Sequence, residues 1–73
     1  MKVAVSEALN IGIDAQKNGR ISEAERIYSD ILLNFPSHPD SLHNLGVLFL
    51  SKGDEQKARN YFNRSIAANP KVK

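Results

Sequence analysis

The sequence predicts an all-α fold, an α-α superhelix of two stacked helix-turn-helix hairpins with four antiparallel helices. Three observations predict it. The chain repeats with a period of 34 residues: Asn10, Gly12, Gly19, Ala24 and Pro36 recur as Asn44, Gly46, Gly53, Ala58 and Pro70. Apolar residues return at helical spacing in both copies. Glycine and proline stops stand at corresponding places in each. A repeat of this length marks one supersecondary unit that buries its apolar face by stacking on its own copy.

The first helix is expected from about Val3 to Asn18, with Leu9, Ile13 and the small residues Ala8, Gly12 and Ala15 at helical spacing. Asn18-Gly19 closes it, because both residues tolerate the left-handed conformation that ends a helix. Ser22 opens the second helix, where Ser22 and Glu25 have the spacing of a capping box. Its apolar face is Ala24, Ile27, Tyr28, Ile31, Leu32 and Phe35, and Pro36 stops it. Pro39 suits the first turn of the third helix, since its ring presets the backbone angle. That helix carries Leu42, Leu45, Gly46, Phe49 and Leu50 and closes at Lys52-Gly53. Asp54 is the expected N-cap of the fourth helix, which presents Ala58, Tyr61, Phe62, Ser65 and Ile66 before Pro70. The short connections force consecutive helices into antiparallel hairpins. Lys71, Val72 and Lys73 are expected to fray.

Substitutions between the copies keep their physical type: Ile11 becomes Leu45, Tyr28 becomes Phe62 and Leu32 becomes Ile66. Gly12 and Gly46 stand mid-helix, where glycine costs about 1 kcal/mol relative to alanine. Two helix backbones are therefore expected to come too close for a side chain there, with Tyr28 and Phe62 filling the space beside the contact.

The 73 residues make one small domain, 1–73, near the lower limit for a core without staples. The chain is 41% hydrophobic and 25% charged, which places it among globular rather than disordered sequences. The net charge of +2 is spread among interspersed residues, so neither a nucleic-acid arm nor a polybasic membrane patch has support. With no cysteine there is no disulfide, which suits a reducing, cytoplasmic setting. No apolar run approaches the roughly 18 residues of a membrane span. The first residues lack the apolar core of a signal peptide.

These residues resemble the tetratricopeptide repeat family, with repeats at 5–38 and 39–72. The second repeat matches with Leu42, Leu45, Gly46, Phe49, Gly53, Ala58, Phe62, Ser65 and Pro70. The first matches with Ile11, Gly12, Gly19, Ala24, Tyr28 and Pro36, and departs at Ala8, Ala15 and Ile31, as an edge repeat does. The resemblance implies a right-handed array that binds a protein or extended peptide on a concave face lined by the first helix of each repeat. The implied contacts on this chain are Leu9, Asn10, Ile13, Lys17, Asp40, His43, Asn44, Val47 and Leu50.

An asparagine amide offers both a donor and an acceptor, so Asn10 and Asn44 can pair with the backbone of an extended peptide. This is similar to the asparagine ladder of the repeats attached to O-linked N-acetylglucosamine transferases. The alternative is that the two amides are solvated or bonded to each other. The carboxylate clamp of the heat-shock chaperone type is not matched. Leu9 and Ile13 stand in the places of its lysine and asparagine, and only Asn44 fits.

No catalytic constellation is legible, and no cofactor or metal is expected. His38 reads as a loop residue and His43 as a polar group of the concave face, without cysteine or carboxylate partners at metal spacing. The fourth helix has no successor to cover it, so Tyr61 and Ile66 are the expected self-association surface. Three expectations follow. The chain is a non-catalytic interaction module and a fragment of a longer protein, or the substrate-recruiting segment of a glycosyl-, sulfo- or methyltransferase, or a self-associating adaptor.

Overall fold

The computed structural model describes residues 4–69 and holds four helices: α1 (Val5–Lys17), α2 (Ile21–Asn34), α3 (Pro39–Ser51) and α4 (Glu55–Ala68). The bounds of α3 and α4 are those of α1 and α2 shifted by 34 residues. The turns are copied as well. Gly19 and Gly53 take φ of 79° and 84°. The next N–H, of Arg20 or Asp54, reaches back to the carbonyl of Ala15 at 2.8 Å or of Phe49 at 2.9 Å. Glycine enters this left-handed turn without steric penalty. Asn18, the C-cap of α1, keeps a φ of −91°. Val3, the expected start of α1, and Pro70 to Lys73 lie outside the described residues.

The copies differ at their helix starts. Asp54 Oδ1 accepts the Lys57 N–H at 3.1 Å, the N-cap its spacing predicts. The capping box expected at Ser22 and Glu25 does not form. The Gly19 turn leads directly into a helix that starts at Ile21 behind Arg20, with no side-chain cap bond. Ser22 thus already stands inside the first turn, and Glu25 instead meets Lys52 Nζ at 2.8 Å across the repeat boundary. Arg20 makes two exposed ion pairs, with Asp14 at 3.8 Å and Glu23 at 3.4 Å.

His38 is a cap rather than a plain loop residue. Its Nδ1 accepts the Ser41 N–H at 3.2 Å and lies 2.8 Å from the Ser41 hydroxyl, with Pro39 in the first turn of α3. Phe35, expected on the apolar face of α2, is its C-cap and stands half exposed.

The core lies at the junction of the two hairpins. Ala15, Ala24, Tyr28, Leu45, Leu48, Phe49 and Ala58 form the buried cluster, and Leu9, Ile13, Ile21, Leu32, Tyr61 and Phe62 pack against it. The glycines serve this packing differently from the sequence expectation. What fills the space above each is an aromatic ring, not a neighbouring backbone. A β-carbon on Gly12 would stand 2.6 Å from Tyr28 Cε1, and one on Gly46 would stand 2.6 Å from Phe62 Cε1. Each hairpin closes by laying the aromatic of its second helix into a notch on its first, and only glycine leaves that notch open.

Helices α1 and α2 pack together, as do α3 and α4, and α2 packs on α3. Helix α1 also meets α3, whereas α2 and α4 do not touch. The hairpins therefore converge along their first helices and diverge along their second. The side formed by α1 and α3 is the inner one.

Candidate partner-binding face

On that inner side the structure divides the expected contact residues into two groups. Leu9 and Ile13 are half-buried and already packed against the core, so they offer a partner only part of their surface. Asn10, Lys17, Asp40, His43, Val47 and Leu50 are exposed, and Asn44 is half-buried. Val47 and Leu50 are large apolar side chains that the fold leaves open to solvent. Asn10 and Asn44 occupy the same position on adjacent helices, and neither amide is hydrogen-bonded to another described residue. Direct bonding between the two amides is thus absent, and both keep donor and acceptor available.

A link missed in the sequence stands behind this face. Tyr28 is fully buried, and its hydroxyl donates to Gln16 Oε1 at 2.8 Å, tying α2 to α1. Burial pushes the phenol above its ordinary pKa. A buried tyrosine needs a partner for its hydroxyl, which was the one signal for Gln16. Ser65 plays a comparable part in the second hairpin: its hydroxyl donates to the Pro39 carbonyl at 3.0 Å and joins the end of α4 to the start of α3.

His43 points its ring towards Phe62, with centroids 5.4 Å apart and planes inclined at 52°. Together with Asp40, Ser65, Ile66 and Asn69 they line a groove of 580 Å³ between α3 and α4. Ile66 is 64% exposed there. Tyr61 lies elsewhere: half-buried, it stacks on Phe49 at 5.5 Å with the rings almost parallel. Five residues along a helix turn a side chain through about 140°, so Tyr61 and Ile66 do not share a surface.

Among the described residues no three His, Cys, Asp or Glu side chains gather as metal ligands. No helix of the described residues is long and apolar enough to cross a membrane.

Stacked equivalent hairpins, an inner face rich in open polar and apolar side chains, and a core confined to the junction define a helical-repeat module of the protein-interaction class. The tetratricopeptide repeat family model matches residues 9–72, and the chain belongs to that family. Among curated proteins it is similar to the photosystem I assembly protein Ycf3 of Prochlorococcus marinus strain NATL1A. The two are 33% identical over 63 residues, covering 82% of this chain and 36% of that one. The Ycf3 protein of Rippkaea orientalis is 34% identical over 64 residues, covering 84% of this chain and 37% of its own length. Cellulose synthase 1 operon protein C of Komagataeibacter xylinus is 34% identical over 65 residues, which are 89% of this chain and 5% of that protein. The chain thus spans a minor part of the curated relatives it matches. No solved structure matches it.

Proposed function

We propose that the chain is a non-catalytic module that holds an extended segment of a partner protein along the face of α1 and α3. The observation that carries this reading is the pair Asn10 and Asn44, at one position on two adjacent helices with both amides unengaged by described residues. Such amides bond a peptide backbone whatever its side chains. Val47 and Leu50 add apolar contact, and Lys17, Asp40 and His43 set the polarity of the segment accepted. One relative's name refers to the assembly of photosystem I, and we read assistance to the assembly of a protein complex as the kind of task.

The test is selection of peptides from a displayed library against the chain, followed by titration of the winners with Asn10→Ala plus Asn44→Ala. Each lost pair of bonds should weaken binding by about 1 kcal/mol or more. Unchanged affinity in a variant of intact helicity would reject the mode. Self-association remains the second reading. Its support is the exposure of Ile66, since Tyr61 is half-buried and stacked on Phe49. A strict monomer in concentrated sedimentation runs removes it.

A further inference from the structure

The side of the molecule away from α1 carries a basic and aromatic surface that the fold does not neutralise. Lys57, Tyr61, Arg64 and Ala68 follow one another at spacings of four, three and four residues, so they form one row along α4. This row looks back towards α2. At its start Lys57 Nζ stands 5.2 Å over the ring of Phe49, a ring it shares with Lys52, which bonds Glu25 of α2. At its end Arg64 lines a hollow of 350 Å³ with Pro36 and Ser37 of the α2–α3 connection, Leu42, Ala67 and Ala68. Because α2 and α4 do not touch, the row is one wall of a cleft between them.

Two cations of this cleft have no acidic partner. Lys57 and Arg64 are exposed and make no ion pair with a described residue. The carboxylates on the surrounding elements are engaged or lie elsewhere. Glu25 holds Lys52 at 2.8 Å, and Asp54 Oδ1 takes the Lys57 N–H. Glu55 lines the other side of α4 with Arg59 and Phe62, and Asp30 lines the far side of α2 with Ile11 and Ile27. What holds the two cations is a pair of rings. Phe49 and Tyr61 stack with centroids 5.5 Å apart, Lys57 lying over the first and Arg64 at 5.3 Å over the second. A ring attracts a cation through its quadrupole but leaves the positive charge uncancelled. Both groups are thus positioned and still open to an anion.

We infer that this cleft takes an acidic, extended segment of a partner protein. Its carboxylates, three residues apart, meet Lys57 and Arg64, and an apolar side chain beside the second fills the hollow at Pro36 and Ala68. The positions of Lys57 and Arg64 are two helical turns apart, about 10 Å. A polyproline II chain returns every third side chain to one face after about 9 Å, which matches that spacing. A nucleic-acid strand fits worse, because only two free cations await its phosphates and Glu25 lies at one end of the cleft. The cleft is separate from the face of α1 and α3. Lys57, Tyr61 and Arg64 are all on α4, and none of the contacts assigned to that face lines the hollow.

The experiment uses the whole 73-residue chain and two fluorescent peptides of otherwise identical sequence. One holds glutamate-proline-proline-glutamate-leucine, and the other has glutamine in place of both glutamates. An exposed ion pair gives about two- to five-fold in affinity, so the glutamate peptide should bind about four- to twenty-fold more tightly at low salt. Lys57→Gln and Arg64→Gln should each remove about two- to five-fold from the glutamate peptide alone, whereas Arg64→Lys should keep most of the affinity. Lys57→Glu plus Arg64→Glu should make the glutamine peptide the preferred one, with circular dichroism showing intact helices. Amide shifts on binding should fall on Ser37, Ala67 and Ala68. Four results would overturn the inference. The first two are absence of binding by the folded chain and equal affinity for the two peptides. The third is a set of shifts confined to the face of α1 and α3. The last is single-stranded oligothymidylate displacing the glutamate peptide at lower concentration than the unlabelled peptide does, which makes a nucleic acid the occupant.

Discussion

Ile11 and Leu45 stand at one position of two hairpins whose helices share the same bounds, yet Ile11 is 50% exposed and Leu45 only 1%. The same contrast holds between Ile66, open to solvent, and Leu32, packed against the core. A position in the repeat does not settle burial. What settles it is whether another hairpin lies on that side. The first hairpin is covered on the side that meets α3, and the second on the side that meets α2. Each leaves its other side open. Sequence and burial diverge along this division: the open side of the first hairpin carries Ile11 and Asp14, both exposed, where the covered side of the second carries Leu45 and Leu48, both sealed.

The widest difference should appear on truncating the matched pair. Leu45→Ala removes a sealed core side chain and should cost about 2–5 kcal/mol, whereas Ile11→Ala should cost well under half of that. Chemical denaturation of the two variants measures both, and similar losses would break the comparison.

The glycine notches give a smaller contrast. Gly12→Ala pushes a methyl group into the ring of Tyr28, which is sealed and tethered to Gln16, and should cost about 1–3 kcal/mol. Gly46→Ala meets Phe62, which is half-buried beside an open groove and has room to move. The gain in helix propensity of about 1 kcal/mol should then cancel most of its cost. Thermal melts that rank the two variants in the opposite order would show that the rings are equally held.

The least effect belongs to the boundary ion pair. Glu25→Gln should lower stability by no more than about 1 kcal/mol, because both partners remain partly exposed. Arg59→Gln, the same position without a partner hairpin, should leave the melting temperature unchanged. A larger effect at Arg59 would mean that it is engaged within the chain.

Much of this was legible in the residues. The four helices, their turns at Gly19 and Gly53, the start at Pro39 and the Asp54 cap are local matters, written within a few neighbours of each position. The capping box at Ser22 failed because its spacing is a necessary condition only, and the preceding turn set the N-cap two residues earlier, at Arg20. His38 was passed over because histidine is an uncommon cap, and its ring had to reach Ser41 before that role was visible. The face formed by α1 and α3 was legible as a set of positions. Sequence spacing did not separate Leu9 and Ile13, drawn towards the core, from Val47 and Leu50, left outside it.

By itself the sequence determined the helices and the repeat, because caps, stops and apolar periodicity act over one or two turns. The tertiary structure alone decided which copy of each repeated residue is buried, what enters the glycine notches and where Glu25 finds its partner. Those outcomes depend on contacts between residues far apart along the chain, and two equal positions in a repeat differ only in what is stacked upon them.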